Sequence, residues 1–194
     1  MYSQHAEEAA ILAACEHIES GRFLDVGAYH PTMFSNTRAL FERGWRGVMI
    51  EPSPACARVL VQEYGRVEGM AVVAACVIAS DPGLRELAVT DDAVSTADPR
   101  QAERWRERGA YYGKLWVPTL TFADVINRWG CFNFVSIDTE GSSMEIFCAV
   151  MATEMKPACV CVEHDGRVAE AVDIAQAAGY HLTYKSDENL VFSL

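Results

Sequence analysis

Apolar positions along this chain switch repeatedly between a period near 3.6 and short unbroken runs, the pattern of helices alternating with strands buried on both faces. Ala6 to Ile18 has the helical period and ends at Gly21. Phe23, Leu24 and Val26 then form a short run that stops at Gly27, which predicts the first strand. A helix over about Ser35 to Arg43 closes at Gly44, and Gly47 to Ile50 is the second strand. Ser53-Pro54 opens the next helix, with Ser as cap and Pro in the first turn, where its missing N–H does no harm; it runs to about Tyr64. Val67 to Ile78, rich in Val and Ala, predicts one continuous third strand, and Asp81-Pro82-Gly83 turns the chain so that Arg85 to Thr90 can return as an edge strand.

From Asp91 to Trp116 the pattern is polar, aromatic and irregular. The stretch is too long for a connector and predicts a partly helical lid or substrate-side insertion. Thr121 and Asp124 have capping-box spacing and start a helix ending near Trp129. Phe132 to Ile137 predicts a strand, Ser143 to Met151 a helix, Ala158 to Val162 a strand, and Val168 to Ala178 a helix closed by Gly179. Two closing strands, about Tyr180 to Tyr184 and Asn189 to Leu194, lie too close for a crossover and must pair antiparallel. The expected fold is one Rossmann-like α/β domain over residues 1–194, with an N-terminal helix within residues 1–21. Its mostly parallel seven-stranded sheet carries an antiparallel C-terminal edge hairpin and helices on both faces.

Composition agrees with one domain: 194 residues, 51% of them hydrophobic, can bury a full core. A net charge of -11 lacks the field that draws phosphate backbones or anionic bilayers, which argues against nucleic acid and membrane as partners. Arg100, Arg104, Arg106 and Arg108 form the one basic cluster, but Glu103 and Glu107 interleave with it, so it is expected to be a solvated helix face. No run reaches the ~18 apolar residues of a membrane span, and the acidic N-terminal stretch is unlike a secretory leader. Seven cysteines without a C-x-x-C pair suggest reduced thiols and a cytoplasmic setting. Cys159 and Cys161 share one strand face and are expected to be small buried hydrophobes.

In open α/β sheets ligands bind beyond the carboxyl ends of the strands. Asp25-Val26-Gly27-Ala28-Tyr29-His30-Pro31 ends the first strand, with Gly27 suited to a tight turn and a close ligand. It is not G-x-G-x-x-G, which argues against a nicotinamide dinucleotide and its pyrophosphate. Glu51 ends the second strand, where a carboxylate can accept both hydroxyls of a ribose. Asp138 ends the fourth major strand, and Glu163, His164 and Asp165 follow the fifth.

Asp25-Val26-Gly27-Ala28, Ser35-Asn36-Thr37, Gly44-Trp45-Arg46-Gly47, Ile50-Glu51-Pro52, Ser136 to Gly141 and Val162-Glu163-His164 together resemble the FkbM-type methyltransferases, a class I, S-adenosylmethionine-dependent family. The likeness spans about Phe23 to Leu194, and Tyr29-His30-Pro31 departs from it where the family usually has a polar Asn/Asp-Gly stretch. The resemblance implies that Asp25 and Gly27 line the methionine end of the cofactor, that Glu51 holds its ribose, and that Ala75 and Cys76 flank its adenine. Ala28, Tyr29, Asn36, Pro52, Asp138 and Glu140 complete the cofactor residues it suggests. It also implies an acceptor hydroxyl on a sugar, a glycan or a glycosylated small molecule.

A sugar hydroxyl is a poor nucleophile until it loses its proton, so a base or a metal is expected beside it. In one reading His164 or Asp138 is the general base, with Glu163 beside them and Glu140 orienting the acceptor or the cofactor ammonium. In the other, Asp138, Glu163 and His164 hold a divalent cation such as Mg2+, although hard cations prefer all-oxygen sites. His30, Glu140 and His164 are the expected acceptor contacts, while capping of the following helix is the default expectation for Asn36, ahead of acceptor recognition. Trp105, Tyr111, Tyr112 and Trp116 can stack on a sugar or form a local core. A homodimer is compatible with the sequence. The rival functions are a catalytically silent nucleoside-binding interaction module and a methyltransferase acting on an amine or carboxylate.

Overall fold

The computed structural model describes residues 1–90 and 93–194. In chain order its elements are α1 (Glu7–Ala14), β1 (Arg22–Val26), α2 (Arg38–Glu42), β2 (Arg46–Ile50), α3 (Pro54–Tyr64), β3 (Ala71–Val73), β4 (Cys76–Ile78), β5 (Leu84–Val89) and α4 (Pro99–Glu107). There follow β6 (Gly113–Thr121), α5 (Phe122–Trp129), β7 (Phe134–Ile137), α6 (Ser143–Met151), β8 (Cys159–Glu163), α7 (Val168–Ala177), β9 (His181–Lys185) and β10 (Asn189–Ser193). The main sheet has seven strands in the order β3-β2-β1-β7-β8-β10-β9. Its first five are mutually parallel, and β10 runs antiparallel between β8 and β9. The chain order reverses beside β1, which opens a crevice between the β1 and β7 ends.

Period-2 alternation along the strands sorts the core into two layers. Leu24, Val26, Val48, Ile50, Val135, Ile137, Val160 and Val162 face α5, α6 and α7, where they meet Val125, Phe147, Val150 and Ala171. Phe23, Met49, Phe134 and Cys161 face the other way, against Ile11 of α1, Leu40 of α2 and Leu60 and Tyr64 of α3. Asp25 lies two residues beyond Phe23, so it falls on the α1–α3 side and meets Thr37 there. Cys159 and Cys161 are buried in that layer as small hydrophobes.

Three expectations need correction. The single strand over Val67 to Ile78 is two strands in two sheets. β3 pairs with β2, whereas β4 pairs parallel with β6 in a separate three-stranded sheet ordered β4-β6-β5. Nothing in the Val/Ala run marks that break, because it is set by which strand offers its backbone groups. The expected insertion is also shorter than 91–116: α4 occupies its middle, but its last residues belong to the nine-residue β6, which pairs antiparallel with β5. Asp91 and Asp92, its first two residues, lie outside the described residues. Finally, Asn36 is no helix cap. α2 starts after Thr37 without a side-chain cap, and Asn36 instead donates to Ser136 Oγ at 3.2 Å.

None of the described helices is long and apolar enough to cross a membrane.

Candidate active site

A cavity of about 1030 Å³ opens over the carboxyl ends of β1, β2, β7 and β8, with β4, β5 and α4 as its outer wall. Asp25, Gly27, Ala28, Tyr29 and Asn36 line it from the first strand and the loop after it. Glu51 and Pro52 line it from the second, and Ala75 and Cys76 from the start of the small sheet. Asp138, Glu140, Glu163 and His164 complete the floor. The topology thus gathers in one cavity all the residues expected to meet a cofactor.

Gly27 has φ +82°, and a Cβ there would fall 1.6 Å from the Asp138 carbonyl oxygen. The close approach that needs glycine is therefore backbone to backbone, where β1 and β7 end side by side. The carboxylate of Glu51 is buried and divided between two loops: Oε2 accepts from the Tyr29 N–H at 2.9 Å and Oε1 from the Ser53 N–H at 2.7 Å. Burial pushes it up to about 7, against the pull of those two amides. Each oxygen keeps a lone pair for another donor, which suits a vicinal diol. Asp25 accepts from Thr37 Oγ1 at 2.6 Å, and burial raises it to about 6.

The other end of the floor is a carboxylate cluster. Asp138, Glu140 and Glu163 each place an oxygen within 4.8 Å of the others. Burial, then the Glu140 charge, pushes Asp138 to about 7, while its hydrogen bond with Glu163 pulls the other way. Glu163 is raised well above the carboxylate range, first by burial and then by the charges of Asp138 and Glu140. Three such groups cannot all ionise in so small a volume, so burial and mutual repulsion hold Asp138 and Glu163 toward their protonated forms. Ser143 Oγ and the Glu140 N–H donate to Glu163 Oε2 at 2.9 and 3.2 Å and fix its orientation. Tyr29, Glu140 and Asp165, non-glycine residues with φ of 46°, 54° and 47°, all line this cavity. Backbone strain of this kind concentrates at functional sites.

Two of the expected histidine roles do not hold. The Nδ1 of His164 accepts from the Gly166 N–H at 3.0 Å, so the neutral ring carries its proton on Nε2. A ring held this way donates and has no lone pair left to act as a base or to bind a metal. Its Nε2 is buried without a partner among the described residues. The third member of the carboxylate cluster is Glu140, so the possible cation ligands form an all-oxygen set without the histidine. His30 leaves the acceptor set altogether. Its Nδ1 is occupied by the Thr32 and Met33 amides at 3.2 and 3.1 Å, and it lines a separate small groove with Met33 and Arg58.

The sequence reading missed the contribution of α4. Gln101 Nε2 and Trp105 Nε1 both donate to Glu140 Oε2, at 3.1 and 3.0 Å, and the Thr96 hydroxyl donates to the Glu140 carbonyl at 2.6 Å. The basic helix expected to be wholly solvated therefore turns one face, Gln101, Arg104, Trp105 and Arg108, to the cavity. The i, i+3, i+4, i+7 spacing of those four was the available signal. Of the four aromatic residues in the insertion, only Trp105 lines the cavity. Tyr111 and Trp116 are 93% and 63% exposed, and Tyr112 donates its hydroxyl to the Val94 carbonyl.

The sheet order, with a crevice at the chain reversal and an acid at the β2 tip, is that of the class I S-adenosylmethionine-dependent methyltransferase fold. Solved structures share this fold at about 10% identity. The precorrin-6y C5,15-methyltransferase of Geobacter metallireducens GS-15 aligns over 95% of this chain and 84% of its own, with a TM-score of 0.51. The Escherichia coli protein yhhF aligns over 98% and 86%, also with a TM-score of 0.51. The METTL16 methyltransferase domain aligns over 96% and 65%, with a TM-score of 0.53. The methyltransferase FkbM domain model matches residues 25–180, and the chain belongs to that family. No curated protein matches it.

S-adenosylmethionine, the cofactor this family implies, fits the donor set. The Glu51 carboxylate suits its ribose diol, and the acidic floor suits a sulfonium cation.

Proposed function

We propose that this protein methylates a hydroxyl group of a sugar, a glycan or a glycosylated small molecule, with Asp138 as the base. The observation that carries this is the Asp138 carboxyl: it is surrounded by protein yet reachable from the cavity, and it is poised at about 7. An amine acceptor needs little help to lose a proton and gives such a group no task, whereas an alcohol needs it. When bound, S-adenosylmethionine supplies a methyl group on a good leaving group. Glu51 would hold the ribose, and Asp138 at the end of β7 lines the same cavity. The Asp138 carboxylate would take the proton of the acceptor hydroxyl as its oxygen receives the methyl group. Glu163 lies beside Asp138 and favours its ionised form. The protonated Nε2 of His164 is a hydrogen-bond donor available to an acceptor or cofactor oxygen.

The test is transfer of a labelled methyl group from S-adenosylmethionine to a panel of glycosides, oligosaccharides, amines, carboxylates and RNA. Label on an ether oxygen of a sugar is the expected result. Label confined to amines, carboxylates or RNA overturns the hydroxyl assignment, and binding of the cofactor without any transfer favours a silent nucleoside-binding module.

A further inference from the structure

The charges lining the cavity are segregated. Acids make its floor, while α4 and its C-cap present Arg104 and Arg108 one helical turn apart on the same face. Neither forms an ion pair with a described residue, although the neighbouring Arg100 is bound to Asp98 at 3.3 Å. Both are held in place by uncharged partners. Arg104 Nη1 donates to Gln101 Oε1 at 2.9 Å, and the Arg108 guanidinium lies over the Trp105 ring, 5.1 Å from its centroid. These partners fix two side chains that would otherwise lose considerable freedom on binding, and leave most of their N–H donors open. Arg104 acts electrostatically on Glu140 and Asp165, which puts it beside the acceptor end of the floor.

Two like charges a turn apart repel, and a neutral sugar offers them only neutral acceptors. An anion relieves the repulsion and matches the forked geometry of guanidinium. At about 1030 Å³ the cavity reaches the upper end of the roughly 300–1,000 Å³ of small-ligand sites, which leaves room for an acceptor beside a nucleoside cofactor. We infer that the acceptor carries an anionic group, a phosphate or a carboxylate, which Arg104 and Arg108 clamp beside the hydroxyl to be methylated. A nucleic-acid backbone is a poorer match, since a chain of net charge -11 lacks the field that draws one. The inference rests on the proposed transfer to a hydroxyl only for the rest of the acceptor. The anion site itself stands on the geometry.

Ligand-observed NMR titrations of the full chain at low salt test it, with inorganic phosphate, glucose 6-phosphate, glucuronate and glucose as probes, run with and without S-adenosylhomocysteine. The expected result is that at least one anionic sugar binds about tenfold or more tighter than glucose. Glucose 6-phosphate and glucuronate separate the two kinds of anion. In the double variant Arg104→Gln, Arg108→Gln that preference disappears, while S-adenosylhomocysteine affinity stays within about twofold. Equal binding of glucose and the anions overturns the inference, as does a preference that survives the double substitution. A large loss of S-adenosylhomocysteine affinity in the double variant also overturns it, by assigning the pair to the cofactor's own carboxylate. Failure of the wild-type chain to bind S-adenosylhomocysteine strikes the methyl-transfer reading instead, and the titrations without it still decide the anion site.

Discussion

Trp105 Nε1 donates to Glu140 Oε2 at 3.0 Å, which ties the middle of α4 to the loop after β7. The bond joins an outer wall to a floor residue whose backbone is already strained at φ 54°. Removing the indole N–H leaves Glu140 with Gln101 as its remaining side-chain donor. Trp105→Phe is expected to loosen α4 by about 1 kcal/mol, the usual worth of one such bond. Amide exchange over residues 99–107 should quicken, and kcat/KM for the acceptor should fall several-fold with cofactor affinity unchanged. Unchanged exchange would show that α4 is held by its other contacts.

Glu51 serves two loops at once, and this makes its isostere a sharper probe than alanine. In Glu51→Gln one acceptor oxygen remains, but the new NH2 faces the N–H of either Tyr29 or Ser53, donor against donor. Calorimetry should show S-adenosylhomocysteine binding weakened about tenfold or more by Gln and lost with Ala. Wild-type affinity in both variants removes the ribose assignment.

Asp138 and His164 both line the cavity, but the Nδ1 of His164 is already engaged by the Gly166 amide. Asp138→Asn keeps the shape and removes the base, so transfer should slow about 100-fold, within the usual range for a general base, with little change in cofactor affinity. His164→Asn keeps an acceptor near the position of Nδ1 for the Gly166 amide, and most activity should survive. If the histidine variant is the slower one, the ring is the base and its tautomer changes on binding. A chelator should leave wild-type rates unaltered; a loss restored by Mg2+ would move the oxygens of Asp138, Glu140 and Glu163 into metal binding.

Features fixed by neighbouring residues were legible in the sequence. The helix over Ser143–Met151 falls where its periodicity put it, and the Thr121 to Asp124 capping box forms with both of its hydrogen bonds. The acids at the strand ends were legible for a related reason, since βαβ order alone sends every parallel strand's carboxyl end to one side. What escaped depends on distant partners. β6 was hidden because its first residues fall in the irregular stretch over 91–116, and it exists because β5 and β4 flank it on both sides. Pro118 is tolerated near its end, opposite Leu84 at the start of β5. Trp105 and Arg104 became site residues only once α4 packed against Glu140. The state of His164 turns on one amide two residues away, and no spacing rule anticipates that.

The buried acids also set a pH dependence whose direction is fixed. Asp25 and Asp138 rise from 3.8 to about 6 and about 7, and Glu51 from 4.5 to about 7. Between those values the folded chain binds more protons than the unfolded one. This contribution to stability is full below about pH 4 and is lost as pH rises through 6 to 7. Asp98 and Asp124 are shifted downward and act in the opposite sense only at more acidic pH. The melting temperature of the ligand-free protein should therefore fall between pH 5 and pH 8. On the proposed assignment, binding of S-adenosylmethionine favours ionised Glu51 and Asp138, since one would accept hydroxyl protons and the other would face a cation. Its affinity should rise over the same interval, and calorimetry in buffers of differing ionisation heat should show protons released. A melting temperature that climbs through this interval would mean that these acids are already ionised in the empty protein, and Asp138 would then need another explanation for its place beside Glu163.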